Sequence, residues 1–166
     1  MDARDYDYYM GEAIKEAARA EESGDIPIGC VIVDGDKIVA RAHNQVELLR
    51  DATAHAEMIA LTQAEEYRGD WRLSDMTLFV TKEPCPMCAG AIRQTRIGKV
   101  VFGAYAPLDG AAGSVIDILD NSALGGKIES AGGVREEECR ALLQVFFQRV
   151  RTDSMKRKEV GERSSL

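Results

Sequence analysis

Residues 81–90 read TKEPCPMCAG. Two cysteines, Cys85 and Cys88, stand with two residues between them, each directly after a proline. That spacing suits a redox pair, half of a structural zinc site, or part of a catalytic one. The preceding MTLFVTK predicts a strand, and CPMCAGAIRQT predicts a short helix that begins at the cysteines. Residues i and i+3 lie on one helix face. In a first turn, free N–H groups and the helix dipole favour thiolates. Open α/β sheets usually build their sites this way, in the crevice beyond the C-terminal ends of strands.

Working outward, YDYYMGEAIKEAARAEESG has helical periodicity, with Tyr9, Ala13, Ala17 and Ala20 near one face and Gly24 as a stop. IPIGCVIVDGDKIVARAHN predicts two short strands around the Asp34-Gly35 turn. QVELLRDAT reads as a loop. HAEMIALTQAEEY predicts a helix, with Met58, Leu61 and Ala64 at core spacing. After the cysteine helix, KVVFGAY predicts a strand and PLDGAAGS a loop. VIDILDNSALGGKIES predicts a short helix and then a short extended piece. REEECRALLQVFFQRVR predicts an amphipathic helix, with Cys139, Leu142, Leu143, Phe146 and Phe147 toward the core. Strands alternating with helices imply an α/β domain whose sheet is covered on both faces and is at least partly parallel.

The 166 residues, 45% of them hydrophobic, fit one domain with one sizeable core. This domain is expected over residues 1–152, followed by a basic, flexible tail over 153–166. No apolar run approaches the roughly 18–20 residues that span a bilayer, so no membrane partner is expected. The N-terminus MDARDYDYYM lacks a signal-peptide pattern, which makes a cytoplasmic location the expectation. There the four cysteines read as thiols or metal ligands rather than disulfides. The net charge of −7 argues against general nucleic-acid binding. The charge is uneven, however: Arg149, Arg151, Lys156, Arg157 and Lys158 cluster near the C-terminus. That cluster reads as a solvated helix end, with a local phosphate contact as the other reading.

His55 precedes Glu57 by two residues at the start of a predicted helix. Such residues do not share a helix face, so both reach one site only beyond the helix N-terminus. His55, Cys85 and Cys88 make three zinc ligands, where a structural site would close with four. Cys30 and Cys139 read as buried hydrophobes, and His43 as a loop histidine. Three ligands leave a fourth position for water, which describes a catalytic zinc, one per chain, with Glu57 as a proton shuttle near it.

His-x-Glu followed by Pro-Cys-x-x-Cys is the zinc deaminase signature. The chain resembles the cytidine deaminase-like superfamily, and within it the bacterial tRNA adenosine deaminases, from about residue 8 to 151. The resemblance rests on IPIGCVIV (26–33), HNQVE (43–47), HAEMIAL (55–61), WRL (71–73) and LFVTKEPCPMCAGAI (78–92). It extends through RIGKVVFGA (96–104), GAAGS (110–114) and ECRALLQVFF (138–147). The resemblance implies a three-layer α/β/α sandwich with a five-stranded mixed sheet, and a homodimer. It implies zinc on His55, Cys85 and Cys88, with Glu57 as general acid/base. It implies that Asn44 and the backbone at Ala56 face the target base, and that Phe147 and Arg149 contact RNA. By residue type alone Asn44 is a turn residue and Phe147 a core residue as readily. The implied reaction converts adenosine to inosine at the wobble position of a tRNA anticodon loop. Ala106, Leu108, Gly125-Gly126 and Lys82 depart from the family pattern. They touch neither the zinc ligands nor the shuttle, but bear on substrate recognition. A deaminase of free guanine or cytosine bases or nucleosides is the alternative of the same chemistry. A non-catalytic zinc-stabilised partner subunit is the alternative of another class, and the presence of Glu57 counts against it.

Overall fold

A computed structural model describes residues 3–163, with side chains described from Arg4 to Lys156. Five strands form one mixed sheet in the order β2-β1-β3-β4-β5: β1 (Gly29–Asp34), β2 (Lys37–His43), β3 (Met76–Lys82), β4 (Lys99–Ala104) and β5 (Glu129–Ala131). β1 pairs antiparallel with β2 and β3, while β3, β4 and β5 run parallel. The helices are α1 (Ala3–Glu22), α2 (Val46–Leu49), α3 (Ala56–Arg68), α4 (Pro86–Thr95) and α5 (Glu136–Arg163).

The central strands read as unbroken apolar runs because both of their faces are buried. Cys30, Ile32, Leu78, Val80, Val100 and Phe102 point to one face. There they pack on Ala56, Ala60, Leu61 and Ala64 of α3 and on Ala89 and Ile92 of α4. Val31, Val33, Phe79 and Val101 point to the other face, against Tyr9, Met10 and Ala13 of α1 and Cys139 of α5. This is the expected three-layer sandwich. The alternation follows from the period of two along a strand.

α1 buries Tyr9, Ala13, Ala17 and Ala20, the face its periodicity predicts. Its approach to β1 needs Gly29, where a Cβ would overlap the Ala13 carbonyl oxygen and the Ala17 nitrogen. Three expectations need correction. QVELLRDAT contains the one-turn helix α2, ended by Arg50 at φ 53°. Residues 115–121 form no helix, because Val115 and Ile116 are half exposed and Asp117 and Asn121 turn their side chains onto nearby backbone N–H groups. A single 3₁₀ turn, Ser122–Leu124, follows, and the extended piece becomes β5. In α5, Cys139 and Phe146 are buried and Leu142 and Leu143 partly so, but Phe147 is 42% exposed and is not a core residue. α5 continues to Arg163, past the last residue of its apolar pattern. The side chains of Arg157 and Lys158, and residues 164–166 of the expected tail, lie outside the described residues.

Candidate active site

The sequence places ligands at two helix starts. His55 is the N-cap of α3, with extended backbone (φ −72°, ψ 152°), and Ala56 and Glu57 are its first two helical residues. Cys85 is the N-cap of α4 (φ −74°, ψ 171°), and Pro86 fills the first helical position. Pro suits that position because the N–H it lacks would have no helical partner. Cys88, one turn on, shares the face of Cys85. β3 ends at Lys82, so α4 opens at the C-terminal edge of the sheet.

His55 Nδ1 lies 3.7 Å from Cys85 Sγ and 3.5 Å from Cys88 Sγ. Tetrahedral zinc, with Zn–S of about 2.3 Å and Zn–N of about 2.0 Å, places N and S about 3.5 Å apart. The three donors therefore fit one zinc ion, and their ligand atoms all lie within 4.8 Å of one another. Their electrostatics suit a cation. Hydrogen bonds from Cys88 and His55 pull the Cys85 thiol down to about 4. The Cys85 sulfur and burial push the Cys88 thiol up. The hydrogen bond to Cys85 raises the His55 imidazole, helped by the nearby Glu57 carboxylate. A divalent ion held here would take both sulfurs as thiolates. Cys30 and Cys139 are buried as expected, and the only such three-ligand group among the described residues is His55, Cys85 and Cys88.

Glu57 is 4% exposed. Burial raises its carboxyl above the usual range, and the Cys85 sulfur adds to this. That is the direction that suits a carboxyl able to take and return a proton. Ala56 beside it is fully buried. Asn44 is 3% exposed rather than a surface turn residue, and its Nδ2 donates to Asp25 Oδ1 at 3.1 Å. Gln45 N–H donates to the Ala54 carbonyl at 3.0 Å, which brings the Asn44 stretch back beside His55.

Phe147 lines a cleft of about 380 Å³ with Ile28, Lys82, Tyr105, Pro107 and Leu108, between the loop after β4 and α5. Arg149 is turned toward α1 instead, where it pairs with Glu21 at 2.9 Å. Arg151 shares a shallow groove with Phe147. Among the departures from the family pattern, Lys82 pairs with Asp109 at 2.7 Å and Leu108 is 91% exposed.

Two carboxylates escaped the sequence reading. One is Asp25. The other is Glu83, 1% exposed and inside the TKEPCPMCAG stretch itself. Glu83 accepts from the backbone N–H groups of Ala106 (2.9 Å), Ala112 (3.0 Å) and Ser114 (3.0 Å), and from the Ser114 hydroxyl. Burial opposes its ionisation, but the Ser114 hydroxyl and these N–H groups outweigh it and hold its pKa below the usual carboxylate value. The residue next to the Pro84-Cys85 pair thus fixes the loop that borders the cleft.

Residues 3–104 match the family described as the cytidine and deoxycytidylate deaminase zinc-binding region. The chain belongs to this family. The metal of this deaminase family is zinc, and His55, Cys85 and Cys88 are positioned to bind one ion. A tRNA-specific adenosine deaminase of Bacillus subtilis (strain 168) is 48% identical over 143 residues, covering 86% of this chain and 89% of that protein. A solved structure from a study of A-to-I editing by tRNA:A34 deaminases at the wobble position of transfer RNA is 36% identical. Its TM-score is 0.79, over 82% of this chain and 99% of that one. A guanine deaminase structure from Bacillus subtilis is 33% identical with a TM-score of 0.55, over 73% of this chain and 70% of that one.

Proposed function

We propose that this deaminase hydrolyses adenosine to inosine at the wobble position of a tRNA anticodon. The observation that carries the chemistry is the three-donor centre, His55, Cys85 and Cys88, with the buried Glu57 beside it. The tRNA substrate is supported by relatives that match nearly all of their length. The guanine deaminase neighbour keeps the free-base alternative in view, but its structural likeness is weaker.

His55, Cys85 and Cys88 would hold the zinc, which would supply the Lewis acidity that makes water a nucleophile at neutral pH. Glu57 takes a proton from the attacking water and passes it to the ring nitrogen beside C6. Water oxygen bonds to C6, and the C6–N bond then breaks. Glu57 takes the remaining proton from the new C6 hydroxyl and delivers it to the departing amine as the C6 carbonyl forms, so adenosine and water give inosine and ammonia. Asn44 and the Ala56 backbone face the base. The base enters from an anticodon loop, where it is already unpaired or is easily splayed out. Phe147 offers a stacking face at the cleft. Arg149 contacts RNA only after leaving Glu21, whereas Arg151 already lies on the Phe147 side. We assign the catalytic domain to residues 1–152, the protein to the cytoplasm and its assembly to a homodimer. No helix among the described residues is long and apolar enough to cross a membrane.

The test is a substrate panel: an anticodon stem-loop RNA against free adenine, guanine and cytosine and their nucleosides, scored by ammonia release. Inosine in the stem-loop is expected. Activity confined to free bases or nucleosides overturns the tRNA assignment.

A further inference from the structure

Asp25 is a buried carboxylate with no part in the chemistry above. It is 1% exposed, in the loop between α1 and β1. Three N–H donors converge on it. Oδ1 accepts from Asn44 Nδ2 at 3.1 Å and from the Glu47 backbone at 2.9 Å, and Oδ2 accepts from the Leu48 backbone at 3.1 Å. All three donors belong to one stretch that runs from the end of β2 into α2. α2 is a single turn whose N-cap, Gln45, makes no side-chain capping bond. Its first N–H groups have no helical partner and need an acceptor from outside. Asp25 supplies that acceptor from some twenty residues upstream.

The same carboxylate settles which way Asn44 faces. A side-chain amide has one accepting oxygen and two donating hydrogens. An ionised carboxylate only accepts, so it admits the Nδ2 end and rejects the Oδ1 end. One Nδ2 hydrogen is committed to Asp25, and the backbone N–H of Asn44 is committed to the Ile28 carbonyl at 2.9 Å. Asn44 Oδ1 has no partner among the described residues, although the residue is 3% exposed. Among the described residues no polar side-chain atom is sealed from solvent without a partner, so this oxygen still opens outward. A nearly buried amide held at one end and open at the other is prepared for a ligand. The Gln45–Ala54 bond sets it beside the His55 end of α3.

We propose that Asp25 is a positioning residue: it fixes the orientation of the Asn44 amide, and so which of its donor and acceptor atoms meet the substrate base. The inference rests on the function proposed above, in which Asn44 holds that base.

The near-isosteric Asp25→Asn exchange removes the acceptor-only character and lets the Asn44 amide turn over. It is compared with Asn44→Ala and with the double variant, by kcat and KM on the stem-loop, zinc content, and NMR of the Asn44 side-chain amide. We expect D25N and N44A each to lower kcat/KM by about tenfold or more, mainly through KM, with zinc content unchanged. The double variant should fall within about threefold of N44A alone, because both changes remove one interaction. The Asn44 amide should shift and exchange faster in D25N. Losses that multiply in the double variant, wild-type kinetics of either single variant, or an unmoved Asn44 amide each overturn the proposal. If D25N does not fold, the wild-type amide decides: a protected Nδ2 hydrogen is required, and a freely exchanging one overturns the proposal. If the wild type leaves the stem-loop untouched, the tRNA function fails by itself, and the amide signals still decide the positioning.

Discussion

Glu57 is 4% exposed, near His55 in the first turn of α3, where water solvates its carboxyl poorly. Burial raises its carboxyl, which is what a group that must accept and then return a proton requires. Glu57→Ala should keep one zinc per chain, since His55, Cys85 and Cys88 are untouched, and lower kcat by at least about 100-fold. Metal analysis alongside inosine formation checks both halves, and substantial turnover would remove Glu57 from this role. The three metal donors could be read from sequence because few side chains bind zinc and the two helix starts bracket them. Asp25 and Glu83 could not. Their partners are mostly backbone N–H groups 22 to 31 residues away, and an N–H looks the same at every residue. Nothing in local spacing records such a pairing.

The elements that place the site were legible where burial imposes a period. α1 shows its small-residue face, and β1, β3 and β4 show runs that both layers bury. The loop reading missed α2, whose first N–H groups are capped by the distant Asp25 and not by a side chain of its own N-cap. It misled over residues 115–121, where apolar side chains lie half exposed and Arg93 gathers the carbonyls of Ile118, Leu119, Leu124 and Gly125. Close packing of α1 on β1 gives a prediction. A methyl at Gly29 meets backbone of α1, which cannot turn aside as a side chain can. Gly29→Ala should therefore cost about 3 kcal/mol, the upper part of the range for overpacking. Chemical denaturation measures it. A cost below about 1 kcal/mol would mean that α1 shifts freely on the sheet, contrary to the tight seam.

At the scale of the whole molecule, the acidic net charge of −7 sets a limit on how RNA can be held. Long-range attraction for a polyanion is lacking, so binding must come from a pocket that reads one base and from a few local cations. The described cations on the C-terminal half of α5 are unequal. Arg149 is neutralised by Glu21, while Arg151 lies in the groove beside Phe147. Each cation that displaces counterions from single-stranded RNA adds about −0.7 to the slope of log K against log salt. With two or three contacts the slope for stem-loop binding should be only about −1.5 to −2, shallow for a nucleic-acid protein. Arg151→Ala should flatten it by about 0.7, whereas Arg149→Ala should change it less, because that guanidinium must first give up Glu21. A salt titration of the three proteins by fluorescence anisotropy separates the cases. Equal flattening by both variants would show that the Arg149–Glu21 pair opens on binding. No flattening by Arg151→Ala would move the RNA path off this helix.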